Sequence, residues 1–361
     1  MKKYCLFFIS ILFIYQNVSA QKTDEKQYQQ LEKTIARYQK IKNRGEWSKI
    51  VLSDKPFLKL NDTSKVVPAI NQRLELLGDL RRGRDKDIYT PRMETAVKQF
   101  QLRHGLDDDG IIGPAFMRAI NMPLDKRIEQ MKVNMTRISQ DTIDMAGTRI
   151  IANIPEYRLR VYEDNKEVLT MDIVVGKISD PTIVFSDSLE HVVFSPYWNV
   201  PASIVKSEIL PQMSKNSSYL KKNNMEITGK EDGLPTIRQR PGRDNSLGGV
   251  KFLFPNKYNI YFHDTPAKTL FERKNRAFSH GCIRLSQPLE LAKYLLKDQP
   301  EWSVESMKKA MNSTSEKWVK LNIPIPVSII YYTAWVDSSG LLNFRDDIYG
   351  HDQEQLNFNE N

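Results

Sequence analysis

The chain has 361 residues, with 53 Lys and Arg against 44 Asp and Glu and a formal net charge of +9 at pH 7. That length provides for two or three domains with sizeable cores. A modest basic excess without a basic-aromatic motif argues against a nucleic-acid partner; it suits an anionic polymer such as a cell wall, or equally a plain solvated basic surface.

Lys2 and Lys3 precede an apolar run from Tyr4 to Tyr15, interrupted by Ser10, and Val18-Ser19-Ala20 offers small residues for cleavage before Gln21. This is the pattern of a secretory signal peptide, 1–20. The run is shorter than the roughly 20 residues that a bilayer span needs. Cys5 lies inside the run rather than after it, which argues against a lipoprotein. The expected product is exported to an extracytoplasmic compartment, without stable membrane insertion once cleaved.

A polar segment, 21–60, carries Tyr28, Leu31, Ile35 and Tyr38 three or four apart, an amphipathic docking helix without chemistry. A helical module follows at 61–122. Ile70, Leu74 and Leu77 share one face ended by Gly78, Thr90-Pro91 caps a second helix with Ala96, Val97 and Phe100, and a third runs through Phe116 and Ile120. Asp107-Asp108-Asp109-Gly110 is read as a turn, because a calcium loop starting at Asp107 needs glycine at Ile112 and glutamate at Arg118. The pattern from Ala96-Val97 and Phe100-Gln101 through Gly105-Leu106 to Asp109-Gly110-Ile111-Ile112-Gly113-Pro114 resembles the peptidoglycan-binding domain of wall enzymes.

Beyond a helical connector, 123–147, the periodicity turns to strands: Arg158–Val161, Thr170–Val175, Val192–Phe194, Asn259–His263, Val327–Trp335 and Leu341–Phe344. A mainly antiparallel, sandwich-like domain over 148–345 is expected, with a lid inserted at about 201–247 and a polar tail at 346–361. The expected class is α+β.

Without the leader one cysteine remains, Cys282, in Ser279-His280-Gly281-Cys282-Ile283-Arg284. A lone thiol in an exported chain is a free reactive group, an intermolecular link or a buried small hydrophobe. His263, at a strand exit before Asp264-Thr265-Pro266, is the natural base for it. Backbone N–H groups at Gly281 and Cys282 are the expected oxyanion donors, and Arg284 is placed to hold a carboxylate. A zinc site from His263, His280 and Cys282 lacks a fourth ligand and any usual spacing. His191, Tyr197 and Trp198 read first as structural, and Arg238, Arg240 and Arg243 as solvated lid surface.

His263-x-Thr265 with Ser279-His280-Gly281-Cys282-Ile283-Arg284 resembles the L,D-transpeptidase catalytic domain (YkuD type). Ser195-Pro196-Tyr197-Trp198-Asn199-Val200-Pro201, Asn245-x-Leu247-Gly248-x-x-Lys251-Phe252 and Thr333-Ala334-Trp335-Val336-Asp337 are similar to its YcbB-like branch. The resemblance implies an acyltransferase that attacks peptidoglycan tetrapeptide stems through a Cys282 thioester and forms 3→3 cross-links. It further implies that the Asp264 carbonyl orients His263, that Ser279, His280, Arg284, Tyr261, Trp198 and Asn199 line the donor site, and that carbapenems acylate the cysteine. No metal or organic cofactor is implied. Two alternatives stay open: an L,D-carboxypeptidase on the same stems, and a non-catalytic wall-binding protein.

Overall fold

The computed structural model describes residues 21–45, 47–81, 87–141, 143 and 147–359. The expected signal peptide lies outside them. Two compact units emerge, Met1–Met145 with Tyr332–Asn361, and Ala146–Tyr331.

In the first unit, α1 (Gln21–Asn43) buries Leu31, Ile35, Tyr38 and Ile41, as the stripe requires, while Tyr28 stays exposed. The module comprises α2 (Val67–Leu77), α3 (Pro91–Arg103) and α4 (Pro114–Ile120), and α5 (Leu124–Gln140) follows. Gly78 ends α2 in the left-handed region, and the Thr90 side chain accepts the Met93 N–H at the start of α3. Ile70, Leu74, Leu77, Ala96, Val97, Phe100, Phe116 and Ile120 share one core. Gln101 explains the turn that follows. Its Oε1 accepts the Gly110 N–H at 2.9 Å, and its Nε2 donates to Asp109 Oδ1 at 2.8 Å and to the Ile111 carbonyl at 3.0 Å.

The far end of the chain corrects the expected boundaries. The hairpin of Ala334–Val336 and Leu342–Phe344, assigned from sequence to the sheet domain, places Ala334, Val336, Leu342 and Phe344 in the helical unit's core. Where a polar tail was expected, His351–Asn359 is helical. Its Asp352 carboxylate, buried, accepts hydrogen bonds from Arg137 Nη1 at 2.6 Å and Thr333 Oγ1 at 2.7 Å, so a polar segment is fixed by ion pairing rather than by apolar area.

The second unit begins with β1 (Thr148–Asn153), β2 (Arg158–Glu163), β3 (Lys166–Gly176) and β4 (Phe185–Phe194). After an insertion bearing β5 (Trp198–Asn199), β6 (Met225–Glu231) and β7 (Leu234–Gln239), it resumes with β8 (Val250–Leu253), β9 (Phe262–His263), β10 (Ala277–Ser279), β11 (Ile283–Leu285) and β12 (Lys317–Ile330). The large sheet runs β3-β11-β9-β8-β4-β12-β1-β2, and β2 pairs again with β3, so the strands form a closed ring with β10 added beside β3. Pairing is antiparallel except at β1/β12, β9/β11 and β10/β3. β12 starts ten residues before the expected Val327 and tolerates Pro324 because its register against β4 shifts between Lys320 and Ile325.

The insertion is a subdomain with its own small core of Val200, Ile204, Val205, Ile209 and Ile237, against which Trp198 packs. Its sheet, β5-β7-β6, is separate from the ring. The β6–β7 hairpin turns at Asp232-Gly233, both at positive φ, which is the two-residue turn that an Asp-Gly pair favours.

Candidate active site

The sequence Phe262-His263 forms a short strand because the residues before it cannot extend. Asn256 Oδ1 accepts the N–H groups of Tyr258 and Ile260, and Asn259 adopts a left-handed φ of 54°. The strand expected over Asn259–His263 is therefore cut to its last two residues. That turn aims the Asn259 carbonyl at the sulfur, and Cys282 Sγ donates to it at 3.6 Å.

β9 and β11 lie side by side and parallel, with Phe262 opposite Ile283 and His263 opposite Arg284, and the Ile283 N–H donates to the Tyr261 carbonyl at 3.1 Å. The strand end carrying the imidazole and the turn carrying the thiol are thus neighbours by ladder register. His263 is buried, and its Nδ1 lies 2.5 Å from the Asp264 carbonyl. A carbonyl only accepts, so Nδ1 carries the proton and Nε2 keeps its lone pair. Burial first, then the nearby Arg284 guanidinium, press the imidazole down to about 3.

Cys282 is a free thiol, half-buried. Desolvation pushes it up to about 11, against the pull of Tyr261, through its backbone and hydroxyl, and of Arg284. The resting pair is therefore neutral thiol and neutral imidazole. Tyr261, expected from sequence at the substrate site, lies beside the thiol; burial, then the thiol, hold its hydroxyl far above the usual phenol range.

The turn before the sulfur is braced from within. Ser279 Oγ donates to the Cys282 carbonyl at 2.6 Å and accepts the Gly281 N–H at 3.2 Å, and Thr182 Oγ1 donates to the Gly281 carbonyl at 2.8 Å. Gly281 sits at φ 104°, which a side chain would strain. This corrects the expected pair of oxyanion donors: the Gly281 N–H is taken by Ser279, and among the described residues only the Cys282 N–H of that pair lacks an acceptor. Thr182 had no sequence signal, lying 99 residues before the Gly281 it braces.

Asp264 contributes its side chain as well as its carbonyl. The carboxylate accepts the N–H groups of Gly249 at 2.9 Å and Thr265 at 2.7 Å and pairs with Lys268, tying the end of the insertion to the residue beside His263. A Cβ at Gly248 would lie 2.4 Å from the Asp264 carboxyl carbon. Arg284 acts on both thiol and imidazole, has no carboxylate partner among the described residues, and its buried Nε has no acceptor. His280 turns outward to Glu208 Oε1 at 2.7 Å. Trp198 and Asn199 are in the insertion, Trp198 against its core and Asn199 exposed opposite Arg238.

Residues 147–310 match the family described as L,D-transpeptidase catalytic domain, YkuD, and residues 63–120 match the putative peptidoglycan-binding domain. Residues 147–310, which carry every strand of the ring but β12, are a YkuD-type catalytic domain. A putative L,D-transpeptidase of Haemophilus influenzae is 33% identical over 227 residues, which are 58% of this chain and 46% of that protein. The chain thus spans about half the length of that curated relative. Solved structures of an L,D-transpeptidase from Mycobacterium smegmatis and one from Stackebrandtia nassauensis share 15% and 12% identity. They cover 51% and 77% of this chain and 59% and 97% of their own, with TM-scores of 0.28 and 0.30. No described helix beside the YkuD domain is long and apolar enough to cross a membrane.

Proposed function

We propose that the chain is a cysteine-dependent L,D-transpeptidase of the periplasm that forms 3→3 cross-links between peptidoglycan stems. The observation carrying this reading is the register that sets His263, on β9, beside Arg284, two residues past Cys282. His263 Nε2 takes the thiol proton as sulfur attacks the carbonyl at the L centre of the third-position diamino acid. The Cys282 N–H donates to the developing oxyanion, and Arg284 holds a stem carboxylate. The C–N bond to the terminal D-alanine breaks, its nitrogen takes the proton from His263, and a thioester remains. An amine of a second stem's diamino acid then attacks, gives its proton through His263 to the departing sulfur, and forms the new amide.

The energy of the broken amide is kept in the thioester, so the cycle calls for no cofactor. Incubation with tetrapeptide muropeptides and mass spectrometry of the products tests this. Cross-linked dimers are expected. Tripeptides alone would identify a carboxypeptidase, and unchanged substrate with retained sacculus binding a wall-binding protein.

A further inference from the structure

Among the described residues the insertion meets the turn before Cys282 through a hydrogen bond between Glu208 and His280, and its helix is distorted where that bond forms. Between the short α6 (Ala202–Ile204) and α7 (Leu210–Lys215), residues Val205–Ile209 widen into a π-helical turn in which the Leu210 N–H donates to the Val205 carbonyl. Pro211 accounts for the widening. It has no N–H for the Ser207 carbonyl, and its ring would crowd that carbonyl in a regular helix. Glu208 lies in the widened turn, with Oε1 2.7 Å from His280 Nε2. Lys177 Nζ is 3.3 Å from the same nitrogen, but Lys177 also pairs with Asp180 at 3.2 Å, and the shorter contact to Glu208 takes the Nε2 proton. His280 is two residues before Cys282.

We propose that Glu208 is a positioning residue that latches the insertion over Cys282 and thereby sets the partition of the thioester between amine and water. The proposal rests on the transpeptidase reading and deepens it. The Glu208 and His280 side chains are 49% and 32% exposed, so the pair is a weak, reversible contact rather than a permanent fastening. A lid that must admit two large stems in turn needs such a contact. When it opens early, water reaches the thioester: the C–S bond breaks, a carboxylate forms, and the sulfur regains its proton.

The full chain is compared with Glu208→Ala and Glu208→Gln in two assays. With tetrapeptide muropeptides, the ratio of dimer to tripeptide is expected to fall about two- to fivefold for Glu208→Ala, with Glu208→Gln, which keeps an acceptor for His280, in between. Alkylation of Cys282 by iodoacetamide is expected to speed up by a similar factor. An unchanged ratio overturns the partition role even if alkylation rises, and unchanged alkylation overturns the latch. If wild type yields neither product, the transpeptidase reading fails and the partition role with it, while the alkylation rates still decide the latch.

Discussion

The ring of strands and the inserted subdomain are built on opposite terms. Every strand of the ring is hydrogen-bonded on both sides, and its core includes fully buried Ile150, Leu159, Val161, Met171, Ile173, Val192, Phe252 and Phe262. The insertion rests on a cluster of five buried residues and meets the turn before Cys282 through the half-exposed side chains of Glu208 and His280. The proposed chemistry, which tolerates little displacement, is assigned to the ring at β9 and β11, and the proposed lid has a core of its own apart from them.

The largest effect is expected at the ring's sulfur. Cys282→Ala should abolish product while sacculus binding persists, and a carbapenem should add its mass once to wild type and not to the variant. Dimers made by Cys282→Ala would reject the nucleophile assignment. His263→Gln, which removes the base and leaves the ring intact, should lower kcat/KM by about 10² to 10⁴. A loss confined to KM would place the imidazole in substrate binding instead.

The contrast between the two cores can be tested by truncation. Phe262→Ala in the ring should cost about 3–5 kcal/mol of stability and lower the global denaturation midpoint. Ile237→Ala in the lid should accelerate amide exchange within 198–247 and leave the ring strands protected. Acceleration spread across both would join them into one cooperative unit.

Acid pH offers the mildest probe. His263 is held neutral in the fold, down to about 3, whereas the unfolded chain takes the proton near 6.5. Stability should therefore fall as pH drops below about 6.5, by up to about 1.4 kcal/mol per unit until the folded value is reached. His263→Gln should flatten that slope in chemical denaturation series. In the same range kcat/KM should show no titration near 6.5; a midpoint there would mean an imidazole far less desolvated than the buried ring indicates.

Much of this was legible in local chemistry. The stripe of α1, the Thr90 cap and the Gly78 stop each declare themselves within a few residues. What escaped depends on distant partners. Nothing near Ala334 shows that its hairpin belongs with α1 to α5, since alternation fits a strand in either unit. Nor does anything near Thr182 announce its bond to Gly281. The β6–β7 hairpin is different: Asp232-Gly233 between Ile227 and Ile237 was a readable signal hidden by the polar residues around it.

The ring is finished by Ile150 beside Val327, two strands separated by nearly the whole catalytic unit. A chain made amino end first holds the edge of β1 that faces β12 unpaired until β12 has emerged. Until then it is a template for the same strand of another molecule. Truncation before Ile330 should therefore yield aggregates rather than a smaller folded unit, and chaperone demand during synthesis should concentrate on the interval between the emergence of those two segments.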